Sequence, residues 1–182
     1  KGYHRVLTKL EDVAHRNIAI DYISGNHDFW MKNYFRDEFG IQTHSEPFDA
    51  TIDGKKILIH HGDGLAINDT GYRILKKVLR HPINIRLYTW LHPDIGLAIA
   101  RSSSRKSRHY TSNKNYGEED GMVKFASTRI EEGYDIVIMG HRHQPMYKQI
   151  GKGVYINLGD WIAHNTYAVL HDGSIQLESW KS

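Results

Sequence analysis

Val6, Leu7, Leu10, Val13 and Ala14 recur at three- and four-residue spacing, which predicts an amphipathic helix over residues 1–17. Ile18 to Ile23 then reads as a strand that runs into Ser24-Gly25-Asn26. Residues 29–39 predict a short helix stopped by Gly40. Asp53-Gly54, set between Ile52 and Ile57, has the composition of a tight hairpin turn. The second strand of that hairpin, Ile57 to His60, runs into His61-Gly62-Asp63-Gly64. Residues 66–116 change in character, being rich in Arg, Lys, His and Ser, and predict helices over about 70–80 and 84–100. Val123 to Glu132 predicts a helix feeding the strand Tyr134 to Met139, which runs into Gly140-His141-Arg142-His143. The tail predicts four strands at Met146–Ile150, Gly153–Asn157, Thr166–Leu170 and Ser174–Trp180, separated by Gly or Asp-Gly turns. This order predicts an α/β fold of two facing sheets flanked by helices, with the tail supplying the second sheet.

Composition narrows the chemistry. The 182 residues are 40% hydrophobic and 25% charged, which is the balance of a globular chain able to bury one core. One domain over 1–182 is expected, with a helical insertion at about 66–116. The absence of cysteine excludes disulfides, zinc–thiolate sites and thiol nucleophiles, and suits a reducing compartment. No apolar run approaches the roughly 18 residues of a membrane span, and the first residues do not read as a signal peptide. A net charge of +3 is modest for a nucleic-acid binder, and no nucleic-acid-binding motif is present. The thirteen histidines are the unusual feature, because neutral imidazole is the nitrogen ligand left for a transition metal.

Three apolar strands share one pattern. Each ends in a glycine-bearing loop of polar side chains: Gly25-Asn26-His27-Asp28, His60-His61-Gly62-Asp63, and Gly140-His141-Arg142-His143. The carboxyl ends of strands in layered α/β structures converge on one edge, where ligands bind. Imidazole with amide or carboxylate oxygen suits Mn, Fe or Zn at a hydrolytic centre. Each motif alone is weak. Their order and common setting carry the signal.

These residues resemble the calcineurin-like metallophosphoesterases, whose later motifs read Gly-Asn-His-(Asp/Glu), a lone His, and Gly-His-x-His. The same motifs stand here as Gly25–Asp28, His61 and Gly140–His143. The family's earlier Asp-x-His and Gly-Asp elements have no counterpart in residues 1–24, so the chain reads as N-terminally truncated, without the first βαβ unit. Within that superfamily, several stretches follow one another as in the UDP-2,3-diacylglucosamine pyrophosphohydrolases. They are Lys1–Leu7, Gly25–Phe29, His61–Leu65, Asp69-x-Gly71-Tyr72, the Arg/Ser/Lys-rich segment and Leu158-Gly159-Asp160-Trp161. One departure is His27, where the best-known members carry Arg.

The resemblance implies an αββα sandwich with a helical lid over the ligand loops. It also implies cleavage of UDP-2,3-diacylglucosamine to UMP and 2,3-diacylglucosamine 1-phosphate in lipid A biosynthesis. Two divalent metals are implied, Mn2+ first with Fe and Zn as alternatives, in a cytoplasmic protein peripheral on the inner membrane. Asn26, His61 and His141 would hold one metal and His143 would belong to the other. His27 would stabilise phosphoryl charge or protonate the leaving group, with Asp28 orienting its ring. Asp69, Arg105, Ser107, Thr111, Lys114 and His141 would lie near the substrate. His60 is expected to face back into the sheet, since strand neighbours point to opposite sides.

The insertion has its own physical case. Arg101, Arg105, Lys106, Arg108 and Lys114 suit a pyrophosphate or anionic headgroups, and Leu87, Tyr88, Trp90, Leu91, Ile95, Leu97, Ala98 and Ile99 suit acyl chains. A solvated face over a small satellite core is the bland alternative. The rival functions are a dinuclear phosphoesterase acting on another substrate and an inactive fragment of one.

Overall fold

The computed structural model describes residues 3–26, 28, 31, 33–65, 70–92, 94–96, 98, 102 and 118–181. The chain forms two compact units, Lys1–Glu46 and Pro47–Ser182.

The first unit opens with helix α1, Tyr3–His15. Strand β1, Asp21–Ile23, pairs in parallel with β2, Gln42–His44, and helix α2, Tyr34–Phe39, connects them. The expected strand from Ile18 is thus shortened to the three residues that find a partner. Phe35 and Ile41 are buried here, with the Tyr22 ring 4.6 Å from that of Phe35. Gly40 ends α2 at φ 67, its N–H donating to the Arg36 carbonyl.

The second unit is built on a five-stranded sheet in the order β3-β4-β5-β7-β6. Strand β3, Phe48–Ile52, and β4, Lys55–His60, form the expected hairpin. Asp53 and Gly54 both take positive φ, 50 and 73, the conformation a two-residue turn needs to follow the strand twist. Helices α3, Thr70–Leu79, and α4, Pro82–Thr89, follow. Helix α4 starts earlier than its apolar spacing predicts because Pro82 fits the first turn and His81 Nδ1 accepts from the Ile83 N–H at 3.3 Å. Helix α5, Glu118–Glu131, leads to β5, Ile136–Met139. Strands β6, Pro145–Ile150, and β7, Gly153–Leu158, come next, then the hairpin β8, Thr166–His171, and β9, Ser174–Ser179.

Strands β4, β5 and β7 run parallel, with Ile57 opposite Ile136 and Val137 opposite Tyr155. Alternation along them makes two apolar faces. Leu58, Val137, Met139 and Tyr155 pack under Met122 and Ala126 of α5, while Ile57, Ile136 and Ile156 pack with Ile175 and the partly buried Ala168, Leu170 and Leu177 of β8–β9. The layers are therefore helix, central sheet and second sheet. Only β8 and β9 of the four tail strands make that second sheet among the described residues. Strand β7 instead joins the central sheet, because Tyr155 on one side and Val154 and Ile156 on the other give it apolar surface to bury on both faces.

Candidate active site

Three neighbouring parallel strands end on the same side of the second unit, so the loops after His60, Met139 and Leu158 converge there. The first two touch: the Gly140 N–H donates to the His61 carbonyl at 3.1 Å, and the His61 and His141 rings stand 5.2 Å apart at 67°. Gly62 makes this approach possible. A Cβ there would meet Met122 Cε at 2.6 Å and His141 Cβ at 3.2 Å, and its φ of +107 disfavours any L side chain.

The second loop is held in an uncommon shape. His141 and His143 both adopt left-handed backbone, φ 68 and 60, which non-glycine residues rarely do. Asn157 fixes the loop from the neighbouring strand: its buried amide donates to the Gly140 carbonyl at 2.8 Å and its oxygen accepts from the Gly159 N–H at 3.1 Å.

His60 is on the helix-facing side, as alternation predicts. Its ring packs 5.2 Å from that of Phe125, and Nδ1 accepts from the Gly62 N–H at 2.6 Å. Burial pushes its pKa down to about 4, only partly opposed by the Asp63 charge. Asp63 is buried against two cations of the helical insertion, Lys76 Nζ at 2.9 Å and Arg80 at 3.7 Å. Burial alone would raise its carboxyl pKa, but Lys76 and then His61 and Arg80 hold it below its ordinary value. This employment makes Asp63 an anchor rather than a ligand.

Asp160 follows β7. Its Oδ1 accepts three backbone N–H groups, from Ile162 at 2.8 Å, Ala163 at 2.7 Å and His164 at 3.2 Å. Its Oδ2 faces Nδ1 of His164 at 3.1 Å and Nδ1 of His143 at 3.9 Å. The N–H groups of Ala163 and Ile162 are the main reason its carboxyl sits well below the usual range.

The first unit carries the third expected loop. The Asp28 carboxylate accepts from the Tyr22 hydroxyl with one oxygen and from the Gly25 N–H with the other. Both oxygens thus help close the turn that bears Asn26; the His27 ring that Asp28 is expected to orient lies outside the described residues. Burial, then the Asp28 bond and charge, raises the Tyr22 hydroxyl well above its ordinary pKa.

Of the expected site residues, the structure brings His61, His141 and His143 onto one edge of the second unit, and it builds Asn26 and Asp28 into one turn of the first. His27, Asp69, Arg105, Ser107, Thr111 and Lys114 lie outside the described residues, as do Arg101, Lys106, Arg108, Leu97 and Ile99. In the upstream insertion, Ile74, Val78, Ile83, Leu87, Trp90 and Ile95 are exposed. No helix among the described residues is long and apolar enough to cross a membrane.

The donor chemistry at His61 and His141 fits a divalent ion: two imidazoles stand edge to face with centroids 5.2 Å apart, and the Asp63 carboxylate two residues after His61 is already paired with Lys76 and Arg80. Among the described residues no three His, Asp or Glu side chains surround one point. Asn157, Asp63 and Asp160 carried no role in the sequence reading. A lone amide in the apolar strand Gly153–Leu158 was the available signal for Asn157, and the Asp160–His164 spacing for Asp160.

No family model matches the chain. The UDP-2,3-diacylglucosamine hydrolase of Yersinia pestis is 28% identical over 148 residues, 79% of this chain, and the chain spans 60% of that relative's length. An archaeal phosphodiesterase of known structure is 16% identical, covering 93% of this chain and 73% of that one at a TM-score of 0.46. The hydrolase of the same name from Porphyromonas gingivalis is 31% identical over 199 residues, 98% of this chain and 75% of that protein. At that identity and coverage, the chain belongs to the UDP-2,3-diacylglucosamine hydrolase family.

Proposed function

We propose that this protein hydrolyses the pyrophosphate bond of UDP-2,3-diacylglucosamine, giving UMP and 2,3-diacylglucosamine 1-phosphate for lipid A biosynthesis. The observation that carries the reading is the braced pair of histidine loops at the ends of β4 and β5, in a chain of this family. Water adds its oxygen to one phosphorus, the bridging P–O bond breaks, and the leaving phosphate oxygen ends up protonated or free according to pH.

Two divalent metals, Mn2+ in the first instance, would neutralise phosphoryl oxygens and lower the pKa of the attacking water. His61 and His141 would help hold one and His143 would serve the other. His27 would donate to the developing charge on the leaving side, and Asp28, tied to Tyr22 and Gly25, would orient its ring. Arg105, Ser107, Thr111, Lys114 and Asp69 bind the diphosphate and sugar. The exposed apolar side chains of α3, α4 and beyond line the acyl chains, and they meet the membrane surface from which a cytoplasmic enzyme would draw this substrate.

The test is release of UMP from acylated and deacylated UDP-glucosamine side by side, with Mn2+ supplied. Each acyl methylene buried is worth about 0.8 kcal/mol, so even a few buried carbons raise kcat/KM for the two-chain substrate by more than tenfold. Replacing Leu91 with Gln should erode that preference. Equal kcat/KM for the two substrates would leave a phosphoesterase of some other specificity.

A further inference from the structure

The carboxylate of Asp160 has an arrangement that the mechanism above leaves unused. Its side chain is only 9% exposed, and one oxygen is fully committed to the N–H groups of Ile162, Ala163 and His164. A carboxylate gripped in this way cannot rotate. Its second oxygen is therefore fixed in direction, and it faces Nδ1 of both His143 and His164. The His143 ring is itself half-exposed, and its backbone stands in left-handed conformation. No other hydrogen-bond or ion-pair partner is recorded for that ring among the described residues.

We propose that Asp160 is a positioning residue for His143: with Oδ2 held 3.9 Å from Nδ1, its charge favours the tautomer protonated there and one ring orientation, leaving the Nε2 lone pair directed outward. A negative charge near Nδ1 favours the proton there, and a histidine protonated on Nδ1 has Nε2 free to bind an electrophile. The short hop from the end of β7 to Asp160 places this charge one strand away from the loop it controls. His164, at 3.1 Å, makes the hydrogen bond to this oxygen, and His143 Nδ1 stands at 3.9 Å in the field of the same charge. The proposal rests on the reading of His143 as a metal-side residue only for its consequence, and not for the pairing itself.

The experiment uses the whole protein labelled with 15N in its imidazoles, first metal-free and at a pH where His143 is neutral. The His143 resonances are identified with His143→Gln. Wild type should show His143 protonated on Nδ1. Asp160→Asn keeps the oxygen that receives the three N–H groups and so keeps the turn, but it points an amide donor at His143. It should move the proton to Nε2 while thermal unfolding changes little. His164→Gln should leave the His143 tautomer as in wild type. A wild-type His143 protonated on Nε2, or a tautomer indifferent to Asp160→Asn, overturns the proposal. Asp160→Ala, which also removes the turn's acceptor, is the folding comparison. Mn2+ is then added as the probe. Wild type should show selective broadening of His143 at low Mn2+, and Asp160→Asn should need about ten- to a hundredfold more. If the tautomer flips as expected but Mn2+ never touches His143 in wild type, the positioning role stands and the metal reading of His143 falls.

Discussion

Asn157 Nδ2 lies 2.8 Å from the carbonyl oxygen of Gly140, so one buried side chain on β7 fixes the loop that leaves β5. The same side chain takes the Gly159 N–H through its oxygen, and so links the loops after two adjacent strands. Replacing Asn157 with Ala removes the partner of two part-buried backbone groups. The expected loss is about 2–6 kcal/mol, at roughly 1–3 for each unsatisfied group. Asn157→Asp should be nearly as harmful, since it keeps the acceptor but loses the donor and buries a charge. Urea denaturation of the two variants checks both.

Gly62→Ala should cost stability through two separable causes. One is the collision of Cβ with Met122 Cε, and the other is the φ of +107. Shortening the neighbour in Gly62→Ala/Met122→Ala removes only the collision, and Met122→Ala alone opens a cavity in the core beneath α5. The double variant should therefore be less destabilised than the sum of the two single variants, by about 1 kcal/mol or more, the scale of a contact coupling. Strict additivity would mean the collision is relieved elsewhere.

The insertion is fastened to the site by Asp63. Asp63→Asn leaves Lys76 and Arg80 without this carboxylate and should cost about 1.5–3 kcal/mol, the scale of a hydrogen bond to a charged group, since both cations keep some solvent. Lys76→Met should cost less, because Arg80 remains at 3.7 Å. Hydrogen exchange should also rise in α3 in both variants. Unchanged exchange there would mean α3 is held by other contacts.

His60 gives the metal-free protein a specific acid sensitivity. Its folded pKa of about 4 lies below the ordinary histidine value of 6.5, so between those two pH values the unfolded chain binds a proton that the folded one refuses. Stability is therefore full above pH 6.5, falls as pH drops toward 4, and is flat for this group below that. The loss amounts to about 3 kcal/mol, at 1.36 kcal/mol per unit. His60→Gln should remove that slope. Chemical denaturation at several pH values, with a chelator present, measures it.

Truncating a candidate ligand tests the site directly. His141→Ala should abolish hydrolysis and lower the amount of bound Mn2+, while the sheet beneath remains intact by circular dichroism. Full activity in this variant would remove His141 from the reaction.

Much of the second unit could be read from alternation and turn residues. Asp53-Gly54 ahead of an apolar run states its hairpin outright, and strand alternation through Ile57, Leu58 and Ile59 placed His60 and His61 on opposite sides. The β2 strand was not legible: Gln42-Thr43-His44 has no apolar alternation, and it becomes a strand because β1 offers it a parallel partner. The destination of β7 was missed for a related reason. A six-residue apolar run says that a strand is buried, but not which sheet receives it. In the site, the histidines announced themselves through spacing. Their supports did not. Asn157 and Asp160 act on residues 17 positions away in sequence, Gly140 and His143, and no local pattern encodes such a pairing.

The parallel pairing of β4 with β5 has a consequence for how this protein can change. Everything between residues 61 and 135 leaves the sheet at one strand and returns to its immediate neighbour. The distance that excursion must span is set by adjacent strands, whatever its length. Doubling such a loop costs only about 0.6 kcal/mol in closure entropy. The part of the excursion before α5 is therefore an exchangeable cassette: it can be lengthened, trimmed or rewritten while α5, whose Met122 and Ala126 cover the sheet, and the histidine loops stay in register. Specificity can drift in this protein without the chemistry having to be rebuilt.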